Sequence, residues 1–153
     1  MPNSGCGRQQ SRDSRLTFED LSDTAGLTRG APLLTTLEPY RLGGGSLRIR
    51  GTARLPDGTR LQLTMVRVAT HETVAVVQVI VQDKGFETAP LMGARGPLPA
   101  DLYRFEVLAH FNTAWQTEKV MRATDDGRSL RGPGMIRGAA GQPVFFLREE
   151  RRL

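Results

Sequence analysis

The sequence predicts an all-β protein, a single antiparallel β-sandwich of about seven short strands. Three observations predict it. Apolar and polar residues alternate with a period of two, not 3.6, through residues 47–65 and 102–109. Turn chemistry punctuates those runs, as in Pro56-Asp57-Gly58 and Asp83-Lys84-Gly85. A long β-branched run, Thr73-Val74-Ala75-Val76-Val77-Gln78-Val79-Ile80-Val81-Gln82, has the composition of a strand.

Taken in order, residues 1–15 are small, polar and charged. Such a segment cannot bury enough surface to offset its ordering entropy and reads as a disordered tail. Residues 16–45 read as a flexible, extended arm. Within it, residues 17–27 have the signs of a short helix: Thr17 as a cap, Phe18, Leu21 and Ala25 near helical spacing, and Gly26 as a stop. Gly30, Pro32, Pro39 and Gly43-Gly44-Gly45 then keep the chain extended, with Leu33, Leu34, Leu37 and Tyr40 free to pack on a sheet. The sandwich domain is placed at residues 46–153.

Its first strand puts Leu47, Ile49, Gly51, Ala53 and Leu55 on one face and Arg48, Arg50, Thr52 and Arg54 on the other. Pro56-Asp57-Gly58 reads as a hairpin turn with Gly58 at positive φ. The second strand directs Leu61, Leu63 and Met65 inward and Arg60, Gln62 and Thr64 outward. Its parity blurs at Val66-Arg67-Val68, the sign of a bulge or a strand end. Residues 73–82 are nearly all apolar and predict a strand buried on both faces or close to it. Asp83-Lys84-Gly85 predicts a tight turn from which residues 86–89 pair back. Residues 90–99, with three prolines and two glycines, form a loop. Tyr103, Phe105, Val107 and Ala109 then face one way, and Arg104, Glu106 and Leu108 the other. A strand is expected at residues 118–123, a turn at Asp125-Asp126-Gly127 and a Gly-rich irregular stretch at 129–141. Val144-Phe145-Phe146-Leu147 closes the series before a charged end at 148–152.

A length of 153 residues fits one domain plus a tail. No run of 18 apolar residues exists to span a membrane as a helix, and no apolar stretch of a signal peptide follows Met1. The net charge of +5 invites nucleic acid or anionic lipid as a partner. Of the 21 basic residues, however, only Lys84 and Lys119 are lysines. So arginine-heavy a composition reads as G+C-rich codon usage rather than a chosen ligand. Cys6 is the sole cysteine, which excludes an intrachain disulfide and a Cys-based zinc site.

The phrase Leu98-Pro99-Ala100-Asp101-Leu102-Tyr103-Arg104-Phe105-Glu106-Val107 resembles a motif of immunoglobulin-like, fibronectin III-like and transthyretin-like domains. There a Leu-Pro turn precedes a Tyr that packs its ring on the core and bonds its hydroxyl back to the loop. The resemblance implies that corner role for Tyr103. Leu55-Pro56-Asp57-Gly58-Thr59 extends the likeness, over residues 46–131, to small exported bacterial β-sandwich domains. Departures are the lack of a Gly in the turn, Leu98 directly beside Pro99, and the missing Cys…Trp…Cys signature, which leaves Trp115 no disulfide to pack on. Ser4-Gly5-Cys6 resembles the end of a bacterial lipobox, which implies acylation of Cys6 and membrane contact through that anchor alone. Asn3 stands where Leu is usual, and the apolar segment of a lipobox is missing.

No catalytic signature is legible. His71-Glu72 would need a second histidine where Ala75 stands, and His110, the only other histidine, falls in a different strand. Asp125-Asp126-Gly127 lacks the remaining ligands of a calcium loop. No nucleophile elbow, P-loop or dinucleotide fingerprint occurs. No metal, no cofactor and no enzymatic activity are therefore expected. Two binding surfaces are candidates. Arg48, Arg50, Arg54 and Arg60 would cluster if the strands paired across Pro56-Asp57-Gly58, offering a basic face to phosphates or lipid headgroups. Phe111 and Trp115 form an aromatic loop, either a partner-binding edge or a lid on the core. The expected function is a non-enzymatic binding or structural domain, exported to the periplasm or cell surface. Its partner would be a protein or another envelope component, met through loops or a sheet edge. The alternative is a cytoplasmic basic β-barrel module that binds nucleic acid through the arginine face.

Overall fold

The computed structural model describes residues 27–153. The expected tail at 1–15, the expected helix at 17–27 except its last residue, and Cys6 lie outside the described residues. The elements run β1 (Leu34–Arg41), β2 (Leu47–Ala53), β3 (Arg60–Arg67), β4 (Glu72–Ile80), β5 (Gly85–Glu87), β6 (Leu102–His110), α1 (Glu118–Ala123), β7 (Met135–Arg137) and β8 (Pro143–Arg152). They build two antiparallel sheets, β1-β2-β5 and β4-β3-β6-β8-β7. Neither closes into a barrel, so the architecture is an all-β sandwich.

The core is one cluster to which both sheets contribute. Leu37, Leu47 and Ile49 come from the small sheet, and Leu61, Leu63, Met65, Phe105 and Phe145 from the large one, all essentially inaccessible. Inward parity on β2 and β6 follows the alternation in the sequence, with Tyr103, Phe105, Val107 and Ala109 all buried. Gly51 is required by close approach. A Cβ there would stand 2.4 Å from Phe86 Cζ and 2.8 Å from the Thr36 carbonyl oxygen.

Several expectations are corrected. The segment read as an arm contains β1, which pairs along most of β2, from Leu34 opposite Ala53 to Arg41 opposite Leu47. Its Leu-Thr-Thr-Leu pattern supplies Leu34 and Leu37 to the core, and that burial outweighs the loop signals of Pro39 and the glycines. The Pro56-Asp57-Gly58 turn does not close a hairpin: β2 and β3 belong to different sheets, and the turn carries the chain from one to the other. Gly58 does take positive φ, at 95°, and its N–H donates to the Val81 carbonyl at 2.7 Å. Asp83 and Lys84 likewise form a tight turn at positive φ, closed by the Gln82–Gly85 bridge. Beyond that bridge the strands diverge, with β5 pairing β2 instead of β4.

Residues 118–123 form a helix, not a strand. Thr117 Oγ1 accepts the Val120 N–H at 3.2 Å, Glu118 lies in the first turn, and Arg122 pairs back to Glu118 one turn later. One and a half turns are too few for helical periodicity to show in the sequence. The Gly-rich stretch 129–141 contains β7, and the charged end belongs to β8, which pairs with β6 up to Arg152 opposite Leu102.

Candidate functional site

The expected basic face does not assemble. Because β2 and β3 lie in different sheets, Arg60 is separated from Arg48, Arg50 and Arg54. On the small sheet, cross-strand register sets Glu38 and Glu87 beside Arg50 and Tyr40 beside Arg48. Arg48 reaches Glu87 at 3.7 Å, and the Arg50 guanidinium lies 4.7 Å over the Tyr40 ring. The Tyr40 hydroxyl donates to Glu87, and this bond, with Arg48 and Arg50 nearby, holds the Glu87 carboxyl below its usual range. Arg54 is exposed beyond the strand end, and Arg60 donates to the Trp115 carbonyl at 3.2 Å. The outer face of the small sheet is thus a mixed-charge surface.

The aromatic pair is split by burial. Phe111 is buried in the core, whereas Trp115 is half-buried, its ring tilted against His110 at 4.7 Å between centroids. A shallow cavity of about 330 Å³ opens beside Trp115, between Arg60, Gln62, Gln78 and Asn112. Tyr103, expected to anchor a corner, is buried, and its hydroxyl donates to the Pro99 carbonyl at 2.8 Å. Beside it Asp101 accepts from the Leu102 N–H and from Arg67 Nε, each at 2.7 Å; in that order they depress its carboxyl. Another cavity, of about 370 Å³, lies where Arg67 and Glu72 meet the loop at 93–99.

His71 and His110 are not brought together. The His71 N–H bonds back to the Arg67 carbonyl at the end of β3, while His110 follows Leu108, the partner of Gln62 near the start of β3. Asp125, Asp126 and Gly127 all have positive φ and form a turn. Among the described residues no group of three metal-ligating side chains occurs.

What sequence reasoning missed is the position of the Val-rich run. Among the described residues it is β4, the outer strand of the large sheet, not a strand covered on both sides. Val79 is buried, yet Val76 and Ile80 are 58% and 50% exposed. The backbone of the same strand faces outward in register. Val81 donates to Thr59 and accepts from Gly58, so its polar groups point toward β3. By alternation those of Val77 and Val79 do the same, and those of Val76, Gln78 and Ile80 point to the open edge. A bulge marks the other half of β4: Met65 pairs Ala75 and Val66 pairs Thr73, leaving Val74 out. The clean edge therefore runs from Ala75 to Ile80. The legible signal was Gln78, a polar residue set inside the apolar run on the parity of Val76 and Ile80.

The other edges among the described residues are blunted. β1 carries Pro39 and an irregular register near Leu34, and β5 and β7 are three residues each. β4 is nine residues long and has one charge, Glu72, at its far end. A scan against protein-family models gives no match for this chain, and a search of the curated proteins gives none either.

Proposed function

We propose that this chain is a non-enzymatic protein-binding domain that offers strand β4 to an extended segment of a partner protein. The partner strand would add to the five-stranded sheet, its main chain bonding to β4 and its side chains meeting Val76, Gln78 and Ile80. The observation that carries the reading is the long, nearly uncharged edge with two large apolar residues half exposed. Soluble proteins defend such edges unless they use them. Export or envelope association stays part of the proposal on the strength of the sequence resemblances at residues 4–6 and 46–131. The nucleic-acid reading loses the geometry that motivated it, because its arginines are divided between two sheets and two of them sit among Glu38, Glu87 and Tyr40.

The test places a photo-crosslinking residue at position 78 in cells that make the protein. The expected result is a covalent adduct to a protein which, once purified, binds the wild-type chain and fails to bind Gln78→Pro. Adduct no more abundant from position 78 than from the exposed Thr113 contradicts the proposal.

A further inference from the structure

The chemistry of β4 fits one partner in particular, a second copy of the same strand. We infer that two copies of this chain pair their β4 strands antiparallel about a two-fold axis at Gln78, joining two five-stranded sheets into one. This rests on the reading of β4 as a docking edge and goes further by naming the occupant.

Self-complementarity carries the inference. An isologous contact requires each residue to meet its mirror position across the axis. With Gln78 on the axis, Val76 stands opposite Ile80 of the second copy and Ile80 opposite its Val76. The two most exposed apolar side chains of the strand therefore cover each other. On the inner face Val77 stands opposite Val79. The backbone agrees with this register: Val76, Gln78 and Ile80 are the residues whose N–H and C=O groups point to the open edge, so all three can exchange both bonds with their opposite numbers.

The amides agree as well. Gln62 and Gln78 are cross-strand neighbours on the outer face. Across the axis they become a continuous row of four amides, each able to donate and to accept. Charge does not oppose the contact. The row through Ile80 runs from Arg60 through Ile80 to Val76 and Thr64 of the second copy, so no like charges meet. A register centred on Val76 is worse on every count: it sets Ile80 against Glu72 and the bulged Val74 against Gln78.

The experiment is sedimentation velocity on the full chain from about 1 to about 100 µM, a range that brackets a micromolar dissociation constant. Wild type is expected to shift from monomer to dimer across that range. Gln78→Pro removes an N–H that points away from β3, and Ile80→Lys sets a charge in the contact. Each is expected to weaken association by at least about tenfold while the circular-dichroism spectrum and melting temperature of the monomer are kept. Should the proline variant fail to fold, Ile80→Lys carries the test alone. A chain that stays monomeric at the highest concentration overturns the inference, as does a dimer that survives both substitutions. A monomeric chain whose position-78 adduct is a different protein overturns self-pairing and leaves the docking role standing. A monomeric chain with no adduct overturns both.

Discussion

Among the described residues, strands β1 and β4 each form the outer edge of a sheet, and they treat that edge differently. β1 carries a proline and an irregular register, and the face beside it is occupied by Tyr40, Arg48, Arg50 and Glu87 bonded to one another. β4 carries Val76, Gln78 and Ile80 on a regular stretch with no charge among them. The first arrangement ties its charged and aromatic side chains to one another, and Pro39 interrupts the donors along its edge. Among the described residues, the second leaves the outward backbone groups and apolar side chains of β4 without a strand beside them. The contrast teaches that the arginines, though conspicuous in the sequence, lie in a mixed-charge face, and that the exposed apolar side chains lie on the opposite sheet, where the proposed binding edge is.

Substitutions on the two sheets should therefore fail in different ways. The largest effect on folding is expected at the small sheet, where Gly51→Ala forces a methyl into the Phe86 ring. Overpacking of that kind costs about 1–3 kcal/mol, read by urea denaturation, with no separate effect on association. Tyr103→Phe, across the core, leaves the Pro99 carbonyl without its partner and is expected to cost about 1–2 kcal/mol by the same measurement. Val76→Lys on β4 should change stability by less than about 0.5 kcal/mol, as exposed sites do, while abolishing association. A large stability loss there would mean that Val76 is part of the monomer's core and would break the comparison.

Smaller effects sharpen it through pH. Asp101 and Glu87 both ionise more readily in the folded chain than in the unfolded one. Each therefore contributes stability above the ordinary carboxylate range, and the contribution is lost as pH falls through the lowered folded value. Acid titration of the denaturation midpoint should show this loss in wild type and a shallower one in Asp101→Asn. Equal slopes would remove the Asp101 contribution. On the small sheet Arg50→Ala loses one exposed contact with Tyr40, an effect of about 0.5–1 kcal/mol on stability with none on association.

Much of the fold was legible because alternation and turn chemistry are local. The inward sets on β2 and β6, the positive φ at Gly58 and the bonding of Tyr103 to its preceding loop all follow from residues close in sequence. Which strands pair was not legible. Pro56-Asp57-Gly58 and Asp83-Lys84-Gly85 look like hairpin turns, yet each passes the chain between sheets, because β2 finds its partners in β1 and β5 and β3 finds its own in β4 and β6. That choice is set by nonlocal packing. The same limit hid the edge position of β4: a Val-rich strand reads as buried whether the sheet continues past it or stops. Helix α1 was missed for a different reason, since its Thr117 cap is visible in sequence but its length is too short to display a period.

The most direct measurement is amide hydrogen exchange, residue by residue, along β4. In the associated protein the amides of Val76, Gln78 and Ile80 should exchange slowly, as should those of Val77, Val79 and Val81. In Ile80→Lys the amides of residues 76, 78 and 80 should become fast, while Val77, Val79 and Val81, bonded to β3, stay slow. If residues 76, 78 and 80 exchange fast in wild type under conditions where the chain is associated, the edge is open and the account is wrong.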